Sequence, residues 1–206
     1  VLSFLAHPGF TQQPPSEQAL EKNGLEALEL SLRKAIENET KSVEELEKRL
    51  KALEESKKEF ESQLQTFTIQ NSAHSNLFLM PDVRIGDLEQ ARVANKASLD
   101  KITGMMAELK EKSIAADALS AQAREQLSIN ERQIAELKGA EAPTETAKKA
   151  IEALETLTGL LSKKAEIAEK IKSIRQKRLQ ELKPVRESMG SLASRFENQI
   201  AERKKK

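Results

Sequence analysis

Cysteine, tryptophan and tyrosine are absent from the 206 residues of this chain, and only six residues are phenylalanine. Without cysteine there is no disulfide framework, no thiolate nucleophile and no thiolate metal ligand. The two histidines, His7 and His74, lie far apart in sequence, which disfavours a histidine-based metal site or a Ser-His-Asp triad. An aromatic content of 3% is also too low for the core of most compact globular domains.

Sequence patterns that bind cofactors or activate nucleophiles are missing as well. The seven glycines are scattered, and they form no phosphate-binding loop, nucleophile elbow or EF-hand. The numerous carboxylates lie on polar faces, without the burial and fixed spacing of a general acid–base pair. The sequence therefore predicts a non-enzymatic protein with no catalytic residue, no cofactor and no metal site.

Charged residues make up 33% of the chain, yet the net charge is only +1. Apolar residues recur at alternating steps of three and four, and this combination is typical of long helices that pack as coiled coils. The pattern predicts an all-α fold, an elongated antiparallel coiled coil of three long helices. Two arrangements remain open, a full three-helix bundle and a two-helix hairpin with a partly splayed third helix.

Two regions are expected. Residues 1–15 form an N-terminal arm or the end of a targeting segment, because they are nearly uncharged, hold three prolines and begin with a short apolar run, Val1–Ala6. Residues 16–206 form the helical domain. Its helices are predicted at about 16–71, 87–138 and 144–203, with breaks at the proline- and glycine-containing segments between them.

The apolar stripe of each predicted helix contains irregular positions. In the first helix Lys57 interrupts an otherwise apolar series. In the second, four successive stripe positions are small, which allows close helix approach or leaves room for a partner; they are Ser113, Ala116, Ser120 and Ala123. In the third, Pro184 predicts a kink or break, and three charged stripe positions suggest a discontinuous partner; they are Lys164, Arg175 and Arg178.

The net charge of the whole chain is near zero, but it differs among three parts of the chain. Residues 16–70 carry a net charge of −4, residues 71–138 carry −1 and residues 139–206 carry +6. Opposite signs on the first and third helices favour their packing against each other and help to select the register.

Two candidate interaction surfaces follow from the composition. One is a dense apolar cluster in the first connector, which either closes the end of the bundle or forms an exposed contact; its residues are Leu77, Phe78, Leu79 and Met80. The other is a basic patch in the third helix, formed by Lys163, Lys164, Lys170, Lys172, Arg175, Lys177 and Arg178. An anionic membrane surface is a possible ligand for the patch, whereas nucleic acid is disfavoured because no aromatic residue is interleaved.

The overall layout resembles the helical periplasmic region of bacterial mechanosensitive channels of the small-conductance family. The resemblance is carried by the apolar segment Val1–Ala6, the long heptad helix and the connector Ser75–Pro81. It implies an extracytoplasmic coiled-coil domain of an inner-membrane ion channel. Its partners would be neighbouring copies or the rest of the same channel, with no small-molecule substrate. The pore and its Gly/Ala-rich helix are not in this sequence, so conduction is not assigned to it.

A cytoplasmic coiled-coil scaffold or tether is the alternative interpretation, and a nucleic-acid-binding helical module is a weaker one. Mixed Leu, Ala and Ser stripes are compatible with two or three strands, so the sequence leaves the oligomeric state open.

Overall fold

The chain folds into four α-helices. A computed structural model describes residues 17–80, 82–139 and 144–205, with side chains from residue 24 onward. The helices are α1 (Glu17–Glu55), α2 (Lys57–Leu77), α3 (Ile85–Lys138) and α4 (Glu145–Arg203). The all-α prediction is confirmed. The predicted count of three helices is not, and the N-terminal arm, residues 1–15, lies outside the described residues.

Helix α4 is the element to which the others attach. Its buried residues extend from Ala147 to Ile200, and α1, α2 and α3 all pack against it. The splayed alternative for this helix is therefore wrong. Thr144 starts α4 by accepting a hydrogen bond through its side chain from the main-chain nitrogen of Ala147, 3.2 Å away, which satisfies one of the unpaired groups at the helix start.

The core divides into four consecutive clusters along α4. Near its start Leu32 of α1 packs with Ala123 of α3 and Leu154. The next cluster includes Val43 and Ile167, and the third joins Phe60 of α2 to Leu182. The last surrounds Phe196 with α3 and the α2–α3 connector. Helices α1 and α2 thus run in the same direction as α4, and α3 runs in the opposite direction.

The predicted apolar stripes face the interior. Apolar positions at the three-and-four spacing are buried, as Val43, Ile102 and Leu154 show, whereas the polar position Lys57 is exposed. The four small stripe residues of α3 are all buried; Ala123 shares a core cluster with Ala165 of α4, and Ala116 lines one cavity with Ala168. Small residues on both surfaces let the two backbones approach closely, so these positions support the packing of α3 against α4.

A kink or a break was predicted at Pro184; helix α4 continues through this residue, so the break is wrong. Proline removes the hydrogen bond to the carbonyl of Gln180. Both Pro184 and Gln180 are exposed, so water can satisfy that carbonyl. Leu182 and Val185 on the opposite face stay in the core cluster that contains Phe60, which favours the helical path.

The predicted first helix is interrupted at one residue, Ser56. Its side chain donates to the carbonyl oxygen of Leu53 at 2.9 Å, and its ψ of 4° departs from helical geometry. Side-chain hydroxyls that bond the preceding turn bend helices in this way. Beyond the interruption α2 continues to Leu77, six residues past the predicted end at residue 71.

Candidate interaction surfaces

The interruption at Ser56 lies opposite Arg178 of α4. The guanidinium donates to the Leu53 carbonyl oxygen at 2.7 Å and to Ser56 Oγ at 3.1 Å. Its carbon also lies 5.0 Å from the centre of the Phe60 ring, within cation–π range. Burial lowers the pKa of Arg178, because the charged form loses water. A polar residue in the stripe of α4 is thus matched to a polar interruption in the facing helix.

Beside this point the bundle is open on one side. Within the described residues no Cα of α1 lies within 8 Å of a Cα of α3, although both helices pack against α4. Further along, α2 does contact α3. We call this opening the mid-bundle groove.

The mid-bundle groove contains a cavity of about 480 Å³. Helix α4 forms its floor, and α1 and α3 form its walls. The lining combines apolar and cationic side chains and includes Leu46, Arg49, Ala52, Leu53, Ser56, Lys112, Ala115, Ala116, Leu119, Ala168, Ile171 and Arg175. A second cavity of about 240 Å³ adjoins it and shares Leu53, Ser56, Lys112 and Arg175. Sequence reasoning missed this groove, because its opening depends on the distance between two helices.

The cations of the groove have different partners. Arg49 pairs with Glu45 and Lys112 with Glu108, each four residues earlier on its own helix and exposed to solvent. Arg175 is half-buried and donates to the main-chain carbonyl of Lys112. Its pKa is lowered by burial and then by the neighbouring charges of Arg49 and Arg178, with Glu108 opposing them. In the described part of the chain, Glu108 is thus the carboxylate that acts on Arg175, and it is already paired with Lys112.

The residues of the predicted basic patch lie in different surroundings. Lys163 and Lys164 bind Glu47 and Glu39 of α1, each at 2.7 Å, and Lys172 binds Asp117 of α3 at 2.5 Å. These contacts confirm that acidic α1 and basic α4 pack together. They also show that part of the patch holds helices together.

The remaining patch residues point elsewhere. Lys170 pairs with Glu166 of its own helix at 2.6 Å, and Lys177 lies in the wall of a separate cavity of about 210 Å³. Arg175 and Arg178 face the region of the Ser56 interruption. The seven residues therefore do not form one continuous basic face.

The connector cluster, residues 77–80, is divided into an inner and an outer half. Leu77 and Phe78 pack against the core, with the Phe78 ring 4.7 Å from the ring of Phe196. Leu79 and Met80 are 80% and 53% exposed. Each of the two predicted roles, closing the bundle end and forming a contact surface, thus has two residues in a suitable position.

Further contacts secure this end of the bundle. Arg195 lies over the Phe78 ring at 4.4 Å, and Lys204 binds Glu89 at 2.7 Å. Arg203 donates to the carbonyl of Val83. His74 meets Phe196 edge-on at 6.0 Å, and its Nδ1 is buried without a hydrogen-bond partner. The end of α4 is thereby fixed to the start of α3.

Comparisons identify no relative: no family model, curated protein or solved structure matches the chain. The described residues contain no group of three or more His, Asp or Glu side chains placed to hold a metal ion. None of the helices in the described ranges is long and apolar enough to cross a bilayer.

Proposed function

We propose that this chain is a non-enzymatic spacer and interaction domain, an elongated coiled coil in which α1 and α2 act together as one strand. The observation that carries the proposal is the path of the chain. Leu32 of α1 packs in one cluster with Leu154, and the end of α4 lies beside Val83 at the opposite end. The chain runs along the bundle three times, once as α1 with α2, once as α3 and once as α4. These two points therefore lie at opposite ends, about 70 Å apart along α4 at 1.5 Å per residue.

The cross-helix contacts support a stiff spacer rather than a loose tether. Apolar clusters follow one another along nearly the whole of α4. Ion pairs from Lys163 and Lys172 fix α4 to both α1 and α3. Segments joined to the two ends would consequently be held at a set distance and angle.

The spacer is tested by measuring distances between spin labels. The chain has no cysteine, so two introduced cysteines are the only labelling sites. Leu30→Cys with Glu202→Cys should give a separation of about 70 Å. This is the length of α4 from the level of Leu154 to Glu202 at a rise of 1.5 Å per residue. Asp82→Cys with Glu202→Cys is the matched control and should give a short distance. A short distance for the first pair would overturn the proposal.

The wider setting that we propose is the extracytoplasmic region of a mechanosensitive channel, with a cytoplasmic scaffold or tether as the alternative. Its support is the sequence layout, in particular the connector Ser75–Pro81. Fusing alkaline phosphatase to the chain, expressed with its own upstream gene sequence, tests the location. Phosphatase activity in intact cells is expected, and an inactive, full-length fusion would contradict the channel setting.

The channel setting implies that the domain binds other copies of itself. Sedimentation velocity over a wide range of protein concentration should detect an oligomer. A sharp monomer at every concentration would argue against neighbouring copies as partners of this domain.

A further inference from the structure

We propose that the mid-bundle groove is a docking site for an acidic amphipathic helix of a partner protein, which completes a fourth position in the bundle at the level of Arg175. The proposal is independent of the spacer role, because a stiff rod could exist with the groove empty. Among the described residues, α1 and α3 each pack against α4 but do not approach each other within 8 Å between Cα atoms.

The shape of the groove fits a helix. Its walls run along two helices, so its long axis is parallel to the bundle. Along α1 and the adjoining Ser56, the lining begins at Leu46 and extends about 15 Å, or about three helical turns. Amphipathic helices bind such grooves through apolar residues spaced three and four apart. Leu53, Leu119 and Ile171 provide apolar surface on the two walls and the floor.

The charge of the groove selects the partner. Arg49, Lys112 and Arg175 come from three different helices and converge on one cavity. The half-buried guanidinium of Arg175 shares the charge of Glu108 with Lys112, so a partner carboxylate would reduce the cost of its burial. The carboxylates of Glu45 and Glu108 are exposed and bound to the two wall cations only through pairs within one helix, which are weak.

Other occupants fit less well. The N-terminal arm, residues 1–15, has no acidic residue to offer to Arg175. Two copies of the chain placed groove to groove would bring the same cations together, which is unfavourable. An acidic helix satisfies both the apolar floor and the cationic walls.

The test uses the whole chain and a fluorescent synthetic peptide as the probe. The peptide is about 15 residues long, with leucines at steps of three and four and glutamates between them. A scrambled peptide of the same composition, without an apolar face, is the control ligand. Saturable binding measured by fluorescence anisotropy is expected for the first peptide, at least about tenfold tighter than for the second.

A charge-reversed variant locates the site. Arg49→Glu with Lys112→Glu should weaken peptide binding by about tenfold or more, because both groove walls then repel the ligand. The matched control is Lys48→Glu with Lys110→Glu, which has the same net charge and changes exposed residues of the same helices outside the groove lining. Its binding should stay within about twofold of the original chain. Circular dichroism of both variants checks that the helices remain.

A second measurement does not depend on these variants. An environment-sensitive fluorophore on Ala115→Cys, in the groove wall, should change its emission when the peptide binds. The same fluorophore on Ala121→Cys, an exposed position outside the groove lining, should not. Equal responses would place the peptide elsewhere.

Three other outcomes would overturn the proposal. Equal loss of binding in the two charge-reversed variants would mean general attraction to a basic surface. Equal binding of the scrambled peptide would show that binding does not require an apolar helix face or the groove. Binding to phosphatidylglycerol vesicles that requires Arg49 and Lys112, with no peptide binding, would assign the groove to a lipid surface.

Discussion

Arg178 Nη2 lies 2.7 Å from the carbonyl oxygen of Leu53, across the interface between α4 and the end of α1. The same nitrogen reaches Ser56 Oγ at 3.1 Å. One side chain of α4 thus supports the only residue that separates α1 from α2.

Replacing Arg178 with methionine removes both bonds and leaves the Leu53 carbonyl with one fewer partner. We expect a loss of about 2 kcal/mol in the free energy of unfolding, a typical value for hydrogen bonds from a charged group. Lys177→Met, at the neighbouring exposed position, should change stability by less than about 0.5 kcal/mol. Urea unfolding followed by circular dichroism measures both, and equal effects would show that Arg178 does not stabilise the interruption.

Lys163 and Lys164 make ion pairs of the same length to α1 but differ in exposure. The side chains of Lys164 and Glu39 are 12% and 25% exposed, against 53% and 46% for Lys163 and Glu47. Lys164→Met should therefore cost about 1–3 kcal/mol, since it leaves a largely buried carboxylate unpaired. Lys163→Met should cost less than about 1 kcal/mol. Adding Glu39→Gln to Lys164→Met should recover part of the loss in urea unfolding; no recovery would contradict the explanation.

The connector cluster should separate into residues that stabilise the fold and residues that do not. Phe78→Ser removes a ring packed on Phe196 and should destabilise the protein by about 1–3 kcal/mol, measured as a lower Tm. Leu79→Ser should change stability by less than about 0.5 kcal/mol, because its side chain is already mostly in water. If Leu79→Ser lowered the Tm as much as Phe78→Ser, the division of the cluster would be wrong.

Acid should destabilise the protein through exposed ion pairs. Hydrogen bonds from lysines lower the pKa of four carboxyls below the ordinary value of 4.5; they are Glu37, Glu89, Glu108 and Glu166. A lowered folded-state pKa means that these groups stabilise the protein above their unfolded pKa, and that this contribution is lost as the pH falls through the folded value.

Alkali should act through the lysines. Hydrogen bonds from Glu37 and Glu166 raise the pKa of Lys41 and Lys170 above 10.5, so their contribution is lost as the pH rises through the folded value. The urea midpoint is expected to stay level between about pH 5 and about pH 10 and to fall outside that window. Glu89→Gln with Glu166→Gln should reduce the fall on the acid side. A midpoint unaffected by acid in the original chain would contradict this origin.

Sequence reasoning identified the all-α fold and the inward faces of the helices, though not their number, because helical periodicity is a local property. Positions such as Leu154, Ile171 and Phe196 are buried where the three-and-four spacing places them. In α3, Leu88, Ala91 and Asn95 are buried as well, at spacings of three and four residues. These three residues were accessible to the same periodicity argument.

The interruption at Ser56 left a weaker signal. Lys57 and Arg178 are both polar stripe positions, and their juxtaposition depends on the register between two helices, which neither sequence segment specifies alone. The mid-bundle groove left no signal of its own, because Arg49, Lys112 and Arg175 come together only through tertiary packing. In the same way, the closely spaced basic residues of the third predicted helix predicted one surface, whereas the structure pairs them with different helices.

The placement of the two ends of the helical path determines how the domain would respond to mechanical load. A pulling force applied at the start of α1 and the end of α4 acts parallel to the helix axes. It therefore loads the interfaces in shear, and many side-chain contacts must yield together. In a two-pass hairpin, both attachment points lie at one end, and the same force would peel the helices apart one turn at a time. The third pass thus favours a connector that transmits tension over one that unzips.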